Sequence, residues 1–176
     1  MHNKSTPAKL AILKSGLAIF GLCSLGIGVA AASPLYVEKI NMPMKTAIGE
    51  VNNVLKDGGY KIVLKLNILK LIDAQEKKLK IPHFNRPKFT DVRAVVFCNP
   101  YDFSNLLNTD WPVAAGCPLN LTVFSMGQTS YVVYGLRADY ALGPRSKKIG
   151  NQLDQAVIRV LKGIPMSREV THYPKF

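Results

Sequence analysis

From Tyr60 to Leu66 the chain alternates residue by residue, with Tyr60, Ile62, Leu64 and Leu66 on one side and Lys61 and Lys65 on the other. Period-two alternation of this kind marks a strand with one packed face and one wet face. Leu35–Ile40 shows the same pattern over a shorter stretch. Between these strands Met44, Ala47, Ile48, Val51, Val54 and Leu55 recur at helical spacing until Gly58-Gly59 stops the helix. Asn67 stands where it can cap a second helix reaching about Leu79, with Ile68, Leu71, Ile72 and Leu79 inward and its lysines outward. A proline-bearing loop over Ile81–Asp91 leads to Val92–Cys98, apolar and β-branched enough for a central strand. A short third helix starts at Asn99-Pro100 and ends before Trp111-Pro112. Leu119–Met126 and Thr129–Gly135 form a hairpin, and Ile149–Gly163 a last helix with Ile149, Leu153, Val157, Val160 and Leu161 as its stripe. Pro165 stops that helix, and Met166–Phe176 reads as a loose tail. The pattern predicts one α+β domain of two layers, a mainly antiparallel sheet with packed helices.

The hairpin is specified more finely. Glycine at the first central position of a two-residue turn, Gly127-Gln128, pairs Phe124 with Tyr131, Val123 with Val132 and Leu121 with Tyr134. One face then holds Leu119, Leu121, Val123, Val132 and Tyr134, an evident core. The other holds Asn120, Thr122, Phe124, Tyr131 and Val133, too polar for a core and too aromatic for plain surface. A helix of the chain, a second subunit or a ligand could cover it; burial under the chain's own helix is the plainest expectation.

The N-terminus changes the setting. Lys4, Lys9 and Lys14 precede an apolar run, Leu17–Ala32, that closes on three alanines before Ser33-Pro34. A basic start, a short apolar stretch and small residues at the end are the parts of a secretory signal peptide. The expected organisation is a signal peptide over residues 1–32, the domain over 33–164 and a tail over 165–176. The expected location is outside the inner membrane, periplasmic or secreted. The alternative is an uncleaved inner-membrane anchor, although the uncharged run falls short of the ~20 residues that span a bilayer comfortably. Removing three of the 23 basic residues leaves 20 against 11 acidic ones, a net charge of +9. Such a balance favours anionic membrane surfaces and acidic partners. No nucleic-acid motif is present, and nucleic acid is not an expected partner.

Cys98 and Cys117 are the thiols that remain after the leader. In an oxidising compartment the pair invites a disulfide, geometrically reasonable if Cys98 ends one antiparallel strand and Cys117 opens the next. Two unpaired apolar fillers, or a redox or nucleophilic Cys98, are the competing readings. Asn99-Pro100-Tyr101-Asp102 is a sound helix start, with Asn99 as cap, Pro100 at the first position and Asp102 near the positive end of the dipole. Its competing reading is ligand binding at the free N–H groups. His83 and His172 are scattered, so no metal site is expected. Arg137 and Asp139 follow the hairpin and are expected to serve loop backbone or each other, with cleft lining as the alternative, and Trp111 is expected as a packing anchor, with ligand stacking as the alternative. No motif calls for a cofactor, and no catalytic signature is present.

The runs Val95-Val96-Phe97-Cys98-Asn99-Pro100, Leu106-Leu107 and Pro118-Leu119-Asn120-Leu121-Thr122-Val123 resemble the DUF302 family, a domain of unknown function. The resemblance covers roughly residues 35 to 164, the size of one domain. Cys117 precedes Pro118 where cysteines in some relatives follow it, so the resemblance supplies no shared thiol role. What it implies is a compact α/β domain, often a homodimer, with no established enzymatic activity and no catalytic residue to carry over. The functional expectation is therefore a homodimer that binds a small molecule or an envelope protein, with Asn99, Tyr101, Asp102, Phe124 and Tyr131 as candidate ligand residues. A thiol enzyme using Cys98 and a peripheral binder of anionic membrane are the alternatives.

Overall fold

Strands and helices interleave in the order β1 (Leu35–Ile40), α1 (Met44–Asp57), β2 (Lys61–Asn67), α2 (Ile68–Leu79), β3 (Asp91–Cys98), α3 (Pro100–Thr109), β4 (Leu119–Met126), β5 (Thr129–Gly135), α4 (Pro144–Leu161) and β6 (Ser167–Glu169). The structure, a computed structural model, describes residues 35–80, 84–109, 111–137, 144–171 and 173. The signal peptide expected at residues 1–32 lies outside them. The six strands form one sheet in the order β2-β3-β4-β5-β1-β6, and every neighbouring pair runs antiparallel. This is the expected α+β, mainly antiparallel domain.

The hairpin register is as expected: Leu121 opposite Tyr134, Val123 opposite Val132 and Phe124 opposite Tyr131. Gly127 takes a φ of +65°, which a type II′ turn requires at its first central position. Residues on the first face of the hairpin are buried together with Tyr36, Ile40, Val95 and Phe97 from β1 and β3. α1 crosses from β1 near one edge of the sheet to β2 at the other, and buries Met44, Ala47, Val51 and Leu55 against that face. α4 lies beside α1 and adds Val157 and Leu161. The close approach of the two helices depends on Gly58, because a Cβ there would meet Val160 Cγ2 at 2.5 Å. Gly59 follows with a φ of +82°, so the glycine pair both stops α1 and admits α4.

Four local expectations are corrected. The alternation of β2 breaks at Val63: Ile62 is opposite Phe97 and Leu64 opposite Val96, so one extra residue is inserted. A bulge of this kind turns Leu64 and Leu66 onto the face opposite Ile62. α2 starts after Asn67, whose Oδ1 accepts the Lys70 N–H at 3.0 Å as expected of a cap. Its apolar stripe is only partly inward: Ile68 and Ile72 are half-buried on the side of α2 that meets β3, whereas Leu71 is 54% exposed. Periodicity reports that a helix has an apolar face, not that the fold supplies a surface to cover it. α4 begins at Pro144, earlier than Ile149, with proline at the first helical position where its missing N–H costs nothing. Within the supposed tail, Ser167–Glu169 pairs with β1 as a sixth strand. Three residues are too few to show a period, and the unpaired edge of β1 recruits them.

The contrast between the two leucines is measurable by urea unfolding. Leu121→Ala should cost about 2–5 kcal/mol, as burial without room to collapse dictates. Leu71→Ala should stay within about 0.5 kcal/mol. Equal losses at the two positions would contradict the assignment of the core.

Candidate functional site

Helices α1 and α4 cover one face of the sheet, and on the other face the strands β4, β5 and β1 line a cavity of about 280 Å³. Leu35 and Val37 come from β1, Phe124 and Met126 from β4, and Tyr131 and Val133 from β5. Val37 is opposite Val133 and Phe124 opposite Tyr131, so the wall is a run of cross-strand pairs that share one face. Phe89 and Tyr173 close the sides. Among the described residues the lining is hydrophobic apart from the tyrosine hydroxyls.

The Phe89 side is built by hydrogen bonds that the loop makes to itself and to the hairpin. Asn85 Nδ2 donates to Phe89 O at 2.9 Å, and Phe89 N donates to Asn85 Oδ1 at 2.8 Å. Thr90 N donates to Ser125 O at 2.8 Å, and Gly127 N donates to Thr90 Oγ1 at 3.3 Å. The rings of Phe89 and Phe124 lie 5.1 Å apart at 47°. The loop is thus tied to the hairpin at both its backbone and its ring, and the cavity wall is formed before any ligand arrives.

The residues proposed from sequence separate into two places. Phe124 and Tyr131 line the cavity, so among the described residues no helix covers the mixed face of the hairpin there. Asn99, Tyr101 and Asp102 lie at the start of α3, next to the opposite end of β4, where Phe97 is opposite Leu119. Five residues of strand, roughly 17 Å, separate Leu119 from Phe124. Asn99 Oδ1 accepts the Tyr101 N–H at 3.0 Å and the Asp102 N–H at 3.4 Å, which occupies the helix start with a cap. Tyr101 points to solvent. A hollow of about 120 Å³ between α3 and α4 includes Asp102 but is too small for more than a few atoms. Trp111 opens a 3-10 turn, Trp111–Gly116, and is exposed, so it is not a packing anchor.

Cys98 and Cys117 are joined, with Cα atoms 6.0 Å apart, where β3 ends and the lead into β4 begins. Neither sulfur lines the cavity. His83, Asp139 and His172 lie outside the described residues. Among the described residues no three His, Cys, Asp or Glu side chains are grouped as metal ligands.

Two buried polar networks went unread in the sequence. Tyr36 Oη donates to Glu38 Oε2, and Ser167 Oγ donates to Glu38 Oε1 at 2.7 Å. Tyr134 Oη and Arg137 N both donate to Asp154 Oδ1, each at 2.9 Å. Arg137 therefore serves Asp154 through its backbone. A signal existed for each carboxylate. Glu38 alternates with Tyr36 and Ile40 at inward positions, and Asp154 falls between Val157 and Gly150 on the buried stripe of α4. Burial first, and the Glu38 carboxylate second, push the Tyr36 phenol upward. Burial and then Asp154 do the same to Tyr134, partly offset by Arg137. Tyr60, packed edge-on to Phe97 at 5.3 Å, is pushed from 10.0 up to about 12 by burial and then by Asp102. These networks face the helices and not the cavity, and they are groups for holding the fold.

A six-stranded antiparallel sheet, clad by helices on one face and hollowed on the other, defines the class of protein before any comparison. The family model for the domain of unknown function DUF302 matches residues 36–164, so the chain belongs to the DUF302 family. It is also similar to an uncharacterized conserved DUF302 protein from Bacillus stearothermophilus seen in a crystal structure. The likeness has a TM-score of 0.62 at 19% identity over 76% of this chain and 99% of that one. At that identity the likeness is one of fold. No curated protein matches the chain.

Two measurements follow from the cysteines and the phenols. Unreduced protein should offer no thiol from Cys98 or Cys117 to an alkylating reagent, and reduction should cost about 3 kcal/mol by loop entropy. Raised phenol pKa values mean that the folded chain keeps protons which the unfolded chain releases above pH 10. The contribution is whole below 10.0 and is lost as pH rises towards about 12 for Tyr60. Urea midpoints should fall across that window, and less steeply in Tyr60→Phe; identical slopes would contradict the assignment.

Proposed function

We propose that this DUF302 domain is an exported, non-catalytic binding protein whose ligand is a small apolar molecule held in the open-face cavity. The observation that carries the reading is the cavity itself: about 280 Å³ of hydrophobic space, with one wall fixed by the Asn85–Phe89 bonds. An engineered cavity of roughly 150 Å³ with similar lining takes up benzene, so the space here suits a ligand of roughly a dozen carbons. Leu, Val, Phe, Met and Tyr side chains provide contact area and shape, but no nucleophile paired with a base. This favours binding over reaction. Cys98, bonded to Cys117 and away from the cavity, is not offered as a nucleophile.

Pairing of two copies, expected from the family resemblance, would use a face and not an edge. The β2 edge carries the Val63 bulge with Lys61 and Lys65 beside it, and β6 at the other edge is three residues long. Both are devices that discourage strand addition. A second copy over the open face would compete with the ligand.

1-Aminonaphthalene, a neutral ten-carbon dye whose emission shifts to shorter wavelength in apolar surroundings, tests the reading. The full chain should bind it saturably, and Val133→Trp, which fills the cavity, should weaken binding at least tenfold, equivalent to about 1.4 kcal/mol. Leu71→Ser, on exposed α2, should leave it unchanged. Absence of saturable binding, equal affinity in Val133→Trp, or binding lost as protein concentration rises would overturn the assignment.

A further inference from the structure

Among the described strand positions, the charge beside the cavity on this face is of one sign. Lys39 is the direct cross-strand partner of Tyr131, a cavity wall residue, and stands two positions beyond Val37 on the same face of β1. On its other side Lys39 is the direct partner of Arg168 in β6. Tyr131, Lys39 and Arg168 therefore form a row across three strands on the open face, at roughly 4.8 Å per step. Two cations directly opposite each other on neighbouring strands repel. Neither belongs to an ion pair among the described residues, whereas Arg93 pairs with Asp91 and Lys162 with Glu169. No described strand position on this face is Asp or Glu: Glu38 and Glu169 are register partners on the helix-clad face, and Asp91 is opposite Ser125 on that same face.

We infer that the ligand is a single-chain amphiphile with an anionic head, its chain in the cavity between β4, β5 and β1 and its head at Lys39 and Arg168. This rests on the binding function proposed above and adds the chemical class of the ligand. Apolar lining fixes the tail, and the unopposed pair of cations one strand away fixes the sign of the head. The volume limits the chain to roughly ten to twelve carbons, by comparison with a benzene-sized cavity of ~150 Å³. A bounded space of that size suits one free chain better than a bilayer surface, which would need a broad apolar face and not a hollow.

Displacement of 1-aminonaphthalene from the full chain, with ligands kept below micelle concentrations, tests the assignment. Decanoate should displace the dye at a concentration at least tenfold lower than 1-decanol, and decyltrimethylammonium should be weaker than either. The double substitution Lys39→Gln/Arg168→Gln should reduce the decanoate advantage below threefold and leave 1-decanol unchanged. Lys70→Gln/Lys78→Gln, which removes the same charge from α2, should keep the advantage. Equal displacement by decanoate and 1-decanol in the unaltered chain, or a parallel loss of both in the double variant, overturns the anionic head while apolar binding stands. Failure of every chain to displace a bound dye, like failure of the dye to bind, removes the cavity reading as well. Flotation with phosphatidylglycerol vesicles that depends on Lys39 and Arg168, without a decanoate preference, would assign the face to a membrane and overturn the single-chain ligand.

Discussion

Pairing of β1 with β5 organises both faces of the molecule at once. The two strands are in register from Leu35 opposite Gly135 to Ile40 opposite Ser130, although about a hundred residues of chain separate them. The pairing places Tyr36, Glu38 and Ile40 under the helices and Leu35, Val37 and Lys39 on the open face. A slip of one residue would exchange the two sets, burying a lysine and exposing an isoleucine, so the register is strongly specified. The core on one side and the cavity on the other are consequences of the same ladder.

The buried carboxylates reinforce that register from the helix side. Glu38 has hydrogen-bond donors from Tyr36 within its own strand and from Ser167 in β6. Asp154 in α4 receives one from Tyr134 in β5 and one from the Arg137 backbone. A buried carboxylate without such donors costs several kcal/mol, of order 1–3 for each lost hydrogen bond and more for a charge. Each network therefore penalises arrangements in which its strand or helix is displaced. They hold β6 against β1 and α4 against β5, and leave the opposite face to be shaped by side-chain size and the Asn85 loop.

Much of the architecture was legible as pattern. Helical spacing from Met44 to Leu55, the glycine stop at Gly58-Gly59, the Asn67 and Asn99 caps and the Gly127-Gln128 turn are local signals, and each corresponds to a structural feature. The hairpin pairs were legible too, because a two-residue turn fixes its register within a dozen residues. What failed was pattern read too far. The Val63 bulge breaks an alternation that looks perfect in the letters, Leu71 on the apolar stripe of α2 is left exposed, and β6 exists because β1 had an edge to offer. Of the candidate site residues, Phe124 and Tyr131 stood out as an unexplained face of the hairpin, whereas Val37, Phe89 and Lys39 carried no local mark.

The chain as written settled its family, its α+β class and the identity of its local elements, since caps, turns and periodicities act over a few residues. Only the folded arrangement decided which apolar face received helices and which was left hollow. It alone set Lys39 between Tyr131 and Arg168, three residues from distant parts of the chain. The physical reason is that a strand presents two faces to the code of alternation but does not say what will pack on either. That choice belongs to the long-range pairing of β1 with β5 and to the path α1 takes across the sheet.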